Sequence, residues 1–277
     1  MLKTREDRSS ESVPGEAFGF RQTPPGENGK AAPVAADARY LPTCSGCFVR
    51  ETGACPGFGV KSETDPPPGR GMPHVPSQVQ VFPPRRTILH QREESDYVPV
   101  ICSGWAAASI TVANGRKQIV SFALAGEAVS MNYLFETCAG RAIEAVSQVS
   151  CRKFRRSELI EAVIQSRSLA AKLGRAISEE RERADQLSLD LGRRSAEARI
   201  ARLLLSVHNR LHKKGLAHDG TIDFPVRQQQ LADATGLTAV HVCKILSRFR
   251  TSGLLRLDGR RLTLLDERRL QELVEWD

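Results

Sequence analysis

Hydrophobic and polar residues follow three different patterns along the chain. Residues 1–40 are polar, contain glycine and proline, and show no periodicity, as is typical of disordered segments. Residues 61–84 are rich in proline and predict a poorly structured connector. From about Val79 to Phe154, short apolar and β-branched runs alternate with turn residues, which is typical of an antiparallel sandwich or roll. The predicted strands lie at 97–101, 108–112, 119–122 and 142–149.

One pair of these runs carries a strong hairpin signal. Asn114 and Gly115 lie between the runs at 108–112 and 119–122. Both residue types tolerate the positive φ that a type I′ turn needs at its two central positions. The sequence therefore predicts a hairpin with a type I′ turn at this point.

From Ser157 the pattern becomes helical and stays so for about thirty residues. Apolar residues recur every three or four positions, with charged residues between them. This narrow stripe predicts the seam of a two-stranded coiled coil, and the alternative is a single amphipathic helix packed on its own domain. A second helix is predicted from about Ser195 to Leu211. The predicted seam consists of Leu159, Val163, Leu169, Leu173, Ile177, Ala184 and Leu187.

Residues 225–265 contain the pattern of a helix-turn-helix motif. Two short helical stretches are separated by Thr235–Gly236–Leu237. The motif needs a small residue where its helices approach, a glycine at the tight turn, and an apolar anchor on the second helix. Ala232, Gly236 and Val242 have this character and spacing.

A β-hairpin wing is predicted directly after the motif. Residues 254–257 and 261–264 flank an Asp-Gly pair that favours a tight turn. Seven basic and two acidic residues lie between positions 225 and 265, which gives the motif a positive charge. Motif, wing and charge together predict DNA binding. The residues expected to contact DNA are Arg227, Gln228, Thr238, Val240, His241, Lys244 and Arg248.

Three of these side chains have specific expected roles. Lys244 is expected to donate to guanine acceptors, His241 to meet a base edge or a phosphate, and Arg248 to bind a phosphate. Thr238 is also a good N-cap for the second helix. The alternative for any single basic residue is an exposed position on a solvated helix face.

The net charge of +8 is unevenly distributed along the chain. Residues 1–151 contain 15 basic and 15 acidic residues, whereas residues 152–277 contain 25 and 17. The C-terminal part therefore carries the whole excess, and its expected partner is a polyanion such as double-stranded DNA.

Composition limits the class of protein. The 277 residues suit one large domain or two ordinary ones, and seven cysteines are too few for a disulfide-stabilised scaffold. No apolar run approaches the roughly 20 residues that a membrane span needs, and the N-terminus lacks the apolar core of a secretory signal. We therefore expect a cytoplasmic protein without a membrane partner.

Three cysteines form a cluster in the sequence. Cys44, Cys47 and Cys55 have the spacing C-x2-C-x7-C in a loop that contains glycine. In a reducing compartment, thiols this close together are typical of a metal centre, and both structural zinc and iron–sulfur clusters take four ligands. The candidates for the fourth ligand are Cys102, Cys138 and Cys151.

Position distinguishes the remaining cysteines. Cys151 lies where the β-rich region meets the long helix, whereas Cys243 belongs to the predicted DNA-facing helix and is excluded. An isolated cysteine is most often a small buried hydrophobic residue, and we expect this of Cys102 and Cys138.

Taken together, the β-rich region, the long helix and the winged motif resemble the Crp/Fnr family of bacterial transcription regulators over roughly residues 79–270. The residues Ser-Phe-Ala-Leu-Ala-Gly-Glu at 121–127 resemble the sensor roll of that family, and residues 195–201 resemble the segment after its dimer helix. The resemblance implies an α+β fold with a cyclic-nucleotide-binding-like β-roll, a long dimerisation helix and a C-terminal winged helix-turn-helix. It also implies a homodimer bound to a palindromic operator, with RNA polymerase as a further partner.

The expected domain organisation follows from the sequence pattern together with this resemblance. It is a disordered extension at 1–43, a cysteine-bearing loop and connector at 44–78, the roll at 79–156, the dimerisation helix at 157–194 and the DNA-binding domain at 195–277.

The cysteine cluster further resembles the Fnr-type oxygen sensors of this family. The resemblance implies that Cys44, Cys47, Cys55 and Cys151 ligate a [4Fe–4S] cluster, because Ser150–Cys151–Arg152 matches the context of the later ligand. It also implies that the intact cluster supports dimerisation and DNA binding, and that oxygen reverses both.

The sequence departs from the family pattern at three places. A proline-rich stretch replaces the usual helix between Cys55 and Val79. Val240 and Lys244 stand where many members have base-reading Glu and Arg, so the operator is expected to differ. Ala142 follows Arg141 where cyclic-nucleotide binders have a serine, which disfavours a cyclic phosphate ligand.

Two other classes of function are a regulator without a cluster and an enzyme. A regulator of the same family that uses thiol redox, zinc or a small ligand instead of a cluster is the main alternative. An enzyme is not expected, since the sequence contains no G-x-S-x-G, P-loop or H-E-x-x-H motif.

Overall fold

Seven short strands form the N-terminal half of the described structure, a computed structural model that covers residues 77–275. Two antiparallel sheets, in the orders β1-β7-β3 and β2-β6-β4-β5, enclose a core of apolar side chains between them. The predicted roll is thereby confirmed. The strands are β1 (Ser77–Phe82), β2 (Thr87–Leu89), β3 (Tyr97–Ser103), β4 (Ala106–Thr111), β5 (Lys117–Ala123), β6 (Ala142–Ala145) and β7 (Val149–Arg155).

One predicted strand is two strands in the structure. The apolar run at 142–149 is interrupted because Trp105 makes hydrogen bonds across the turn that follows β6. The Val146 amide donates to the Trp105 carbonyl oxygen at 2.8 Å, and the Trp105 amide donates to Ser147 Oγ at 3.0 Å. These contacts turn the chain, so that β6 and β7 belong to different sheets.

The hairpin between β4 and β5 is present, but the predicted type I′ turn is wrong. Gly115 has a φ of 81°, whereas Asn114 does not have a positive φ. Asn114 instead accepts a hydrogen bond at its Oδ1 from the Arg116 amide, at 3.0 Å. An Asn side chain that bonds the backbone two residues on stabilises the turn without a second left-handed residue.

The long helix predicted from Ser157 is divided into α1 (Arg156–Gln165) and α2 (Arg167–Arg193). Ser166 breaks it, since its φ of −124° and ψ of 105° are extended and its Oγ accepts from the Leu169 amide. A serine that caps a helix in this way starts a new one. A short 3-10 helix, Met131–Leu134, packs against both α1 and α2.

The predicted coiled-coil seam needs correction at its N-terminal end. Leu159, Leu169 and Leu173 are buried in the core of the roll, and half-buried Val163 packs against that core. These side chains pack within their own chain. This agrees, for this part of the seam, with the alternative of an amphipathic helix packed on its own domain. Of the other predicted seam residues, Leu187 is half-buried, whereas Ile177 and Ala184 are exposed.

The C-terminal half consists of four helices and a small antiparallel sheet of order β8-β10-β9. The wing predicted at 254–264 is present, and its third strand, at 221–223, was not predicted. The elements are α3 (Ala196–Lys213), β8 (Thr221–Asp223), α4 (Gln228–Thr235), α5 (Ala239–Thr251), β9 (Leu255–Asp258), β10 (Arg261–Leu264) and α6 (Glu267–Glu275).

A second hydrophobic core joins the roll to the C-terminal half. Trp105 and Phe122 of the roll belong to the same buried cluster as side chains of α3, α4 and α5. The ring of Trp105 meets the ring of Phe224 edge-on, with the centroids 5.7 Å apart. Such burial of aromatic surface couples the two halves energetically.

A buried carboxylate sets the angle between α2 and α3. Asp190 accepts from Arg194 at 2.6 Å and also from Arg202, the seventh residue of α3. Both arginine side chains are largely buried, so the pairs are shielded from water.

Among residues 77–275, no helix has both the length and the apolar character to cross a lipid bilayer.

Candidate DNA-binding surface and linking segment

Helices α4 and α5 meet at a tight turn built around Gly236. Gly236 has a φ of 67°, and a Cβ added to it would lie 3.0 Å from the Leu191 side chain. Ala232 and Val242 are fully buried where the two helices approach. Thr238 caps α5 by accepting the His241 amide at its Oγ1, 3.2 Å away. The predicted helix-turn-helix is therefore present with its three key residues in place.

One face of α5 is open to solvent. Val240 is 67% exposed, and His241 and Lys244 beside it are exposed as well. Ser247, three residues after Lys244, lies on the same face but was not among the predicted DNA contacts. The helical period of 3.6 residues would have predicted it. The opposite face is buried, as predicted, through Val242, Ile245, Leu246 and Phe249.

The remaining predicted DNA contacts flank this face. Arg227 and Gln228 are exposed at the start of α4, where the Arg227 amide donates to Gln230 Oε1 at 3.0 Å. Arg248 is exposed but forms an ion pair with Glu197 of α3. A phosphate would have to displace that carboxylate, and sequence reasoning did not include Glu197.

Residues 124–131, here called the linking segment, run from the end of β5 to the start of the 3-10 helix. They contact the C-terminal end of α3 through side chains. The carboxylate of Glu127 pairs with Arg210 of α3, and with Lys214 at 3.0 Å. The same two basic side chains also donate to carbonyl oxygens of the roll, those of Phe122 and Ala125.

The charge state of Glu127 depends on these partners. Burial by itself would raise the pKa of Glu127, but Arg210 and Lys214 outweigh burial and lower that pKa to about 2. The carboxylate is therefore ionised at neutral pH. It fixes the linking segment to the end of α3.

Comparison with known proteins agrees with this architecture. Residues 79–166 match the cyclic nucleotide-binding domain, and residues 198–273 match the Crp-like helix-turn-helix domain. The chain is 26% identical to the nitrogen fixation regulation protein FixK of Bradyrhizobium diazoefficiens over 234 residues, which is 83% of this chain and 93% of that protein. It is 27% identical to the transcriptional activator protein FnrL of Cereibacter sphaeroides over 66% of this chain and 74% of that protein.

A solved structure gives the same result. The structure of FixK2 from Bradyrhizobium japonicum superposes with a TM-score of 0.65 and 28% identity, and the match covers 72% of this chain and 98% of that one. The chain is a DNA-binding transcription regulator of the Crp/Fnr family. In this regulator, α5 is the recognition helix and β9–β10 form the wing.

The predicted metal ligands are mostly outside the described residues. Cys44, Cys47 and Cys55 lie before residue 77, where the structure describes nothing. Of the candidates for a fourth ligand, Cys138 is exposed and Cys102 is half-buried on β3. Cys151 is 0% exposed on the central strand of its sheet.

The Cys151 side chain is enclosed by apolar side chains of the roll. Burial, with a smaller contribution from Cys102, raises the pKa of the Cys151 thiol to about 12, so that thiol is protonated at neutral pH. In the described structure Cys151 is part of the apolar core of the regulator's roll.

Glu127 predicts a pH dependence of stability. A group whose pKa is lowered by folding stabilises the protein above its unfolded pKa, near 4.5, and that contribution disappears as the pH falls toward 2. We expect Glu127→Gln to lower the free energy of unfolding by about 3 kcal/mol at pH 7, with the difference shrinking below pH 4. Urea unfolding at several pH values measures this.

The matched control is Glu136→Gln, which removes an exposed carboxylate near the same segment. We expect this control to change the unfolding free energy by less than about 0.5 kcal/mol. Equal stability of the two variants at pH 7 would contradict the role given to Glu127.

Proposed function

We propose that this regulator binds a palindromic operator as a homodimer and reads base edges through the exposed face of α5. The observation that carries the proposal is the uncovered stripe of Val240, Lys244 and Ser247 on a helix anchored by a buried opposite face. A helix held in this way fits the major groove, where Lys donates to guanine and an apolar side chain meets a thymine methyl group.

The exposed face of α2 supports the dimer. Ile177 is 38% exposed, and Ala184 follows it seven residues later. Ala170, Gly174 and Ser188 extend the same stripe at intervals of three or four, and the space around Gly174 is open. A heptad stripe with small residues lets two helices approach closely, and a two-fold dimer presents two recognition helices to two half-sites.

RNA polymerase is the further partner that we propose. Several of the related proteins are described by name as transcriptional activators, among them FnrL and the AadR protein of Rhodopseudomonas palustris. Activators bound beside a promoter act on the polymerase, so the dimer would have an additional protein contact when bound to DNA.

For the input signal, we propose that Cys44, Cys47 and Cys55 bind an iron–sulfur cluster that responds to oxygen. Their C-x2-C-x7-C spacing supports this part of the proposal. The burial of Cys151 opposes its predicted part as the fourth ligand. It favours a second candidate, in which the three thiols bind zinc or react directly as redox-sensitive groups.

Lys244 provides the test of base reading. A tight-binding duplex is first selected from a random pool with the wild-type protein. We expect Lys244→Ala to weaken binding to that duplex by about 1–3 kcal/mol, measured by fluorescence anisotropy, and to leave binding to random DNA nearly unchanged. Arg268→Ala on α6 is the control, because it removes the same charge from an exposed position.

An equal loss of affinity on both kinds of DNA would reduce Lys244 to a phosphate contact. Failure of the wild-type protein to enrich any sequence from the pool would contradict the proposed function itself.

Ile177 provides the test of the dimer. Ile177→Asp places a charge on the proposed interface and should shift the protein toward monomer in sedimentation velocity. Ile164→Asp is the control, since Ile164 is still more exposed but lies on α1. A profile of Ile177→Asp identical to that of the wild type would exclude this face as the interface.

Iron and sulfide analysis of anaerobically purified protein tests the cluster. We expect both elements in the wild-type protein, a loss of both after exposure to air, and iron-free protein for Cys44→Ser. Cys151→Ser should also lose the iron if Cys151 is the fourth ligand, and Cys102→Ser should retain it. Zinc in place of iron would support the second candidate. Loss of iron in Cys102→Ser, with iron retained in Cys151→Ser, would move the fourth ligand to Cys102.

A further inference from the structure

A second carboxylate, that of Glu180 on α2, is enclosed by donors from the roll. One of its oxygens accepts from Ser130 Oγ at 2.8 Å and from Arg141 Nη1 at 3.0 Å, and the other accepts from the Met131 amide at 2.9 Å. Only 19% of the Glu180 side chain is exposed. Three donors from two separate parts of the roll thus converge on one side chain of the long helix.

The donor set is suited to an oxoanion in general. A guanidinium, a hydroxyl and a backbone amide that point at one place bind a carboxylate or a phosphate with charge-assisted hydrogen bonds. The donors are held in place before any ligand arrives. Ser130 Oγ also accepts from the Asn132 amide at 3.3 Å, and the carbonyl oxygen of Arg141 accepts from the Tyr133 hydroxyl at 3.1 Å.

The space beside this site is small. A cavity of about 230 Å³ lies between the β4–β5 hairpin and α2, and both Arg141 and Glu180 line it. Pockets that hold drug-sized ligands measure about 300–1,000 Å³. With Glu180 in place, the guanidinium of Arg141 is already paired, and the space on its side is smaller than such a pocket. A larger cavity of about 650 Å³ is also lined by Glu180, but Arg141 does not line it.

We propose that Glu180 acts as a built-in ligand of the roll: its carboxylate occupies an oxoanion site and excludes phosphate-bearing molecules from it. When α2 withdraws this carboxylate, the same donors take a phosphate group. The contact also fixes α2 to the linking segment through Ser130 and Met131. If this contact also affects DNA affinity, that effect rests on the proposed function, whereas the oxoanion site does not.

Thermal melting in inorganic phosphate, at constant ionic strength, tests the proposal. Without phosphate, Glu180→Ala should melt below the wild type. Phosphate at a hundredfold excess over its dissociation constant should raise the melting temperature of Glu180→Ala by about 5–10 °C. The wild type should not respond, because its site is filled.

Two further variants make the test specific. Glu179→Ala removes the exposed neighbouring carboxylate and should behave as the wild type does. The double variant Glu180→Ala/Arg141→Ala should lose the response to phosphate, because it lacks the guanidinium. If Glu180→Ala does not fold, Glu180→Gln retains the side-chain shape without the charge and should show a smaller response of the same sign.

Equal stabilisation of wild type and Glu180→Ala by phosphate, or no stabilisation of either folded Glu180 variant, would overturn the proposal. These outcomes do not depend on DNA. A regulator that binds no DNA but shows the phosphate response only in the Glu180 variants would contradict the proposed function and support this inference.

Discussion

The structure depends on how two carboxylates, each largely shielded from water, hold the linking segment, residues 124–131. Glu127 at its centre is paired with Arg210 and Lys214 at the end of α3, and the Ser130–Met131 end binds Glu180 of α2. A buried carboxylate that lost these partners would be costly, since an unpaired charge in the interior destabilises a protein by several kcal/mol. The segment is therefore fixed to both helices at once, although it forms no regular element between β5 and the 3-10 helix.

The C-terminal half, which contains the helix-turn-helix, packs directly against the roll. The Trp105–Phe224 contact and the shared core join the two halves through apolar surface, and Asp190 sets the angle between α2 and α3. A shift of α2 would disturb its contacts at Glu180, at Asp190 or at both, because the helix is held at both residues. The recognition helix is itself tied to α3 through Arg248 and Glu197. Packed apolar groups and an ion pair thus connect the roll to α5 by way of α3.

The sequence predicted what local pattern determines. The strands of the roll, the glycine-centred turn at Gly236, the buried face of α5 and the wing all follow from periodicity and turn chemistry. It did not predict what depends on distant partners. The pattern around Ser166 predicts one continuous helix, whereas the cap formed by Ser166 divides it in two. The spacing of Leu169 and Leu173 fits a seam between two chains as well as it fits packing on the roll. The pairings of Glu127 and Glu180 join residues 39 to 87 positions apart, and no local pattern contains them.

The claim that α5 inserts into the major groove is tested most directly by methylation interference on the selected duplex. Dimethyl sulfate methylates guanine N7 in the major groove and adenine N3 in the minor groove, so each modification reports one groove. The account predicts that guanine N7 methylation blocks binding at positions one helical turn apart, on two symmetric half-sites. Interference confined to adenine N3 would place the protein in the minor groove and contradict the account.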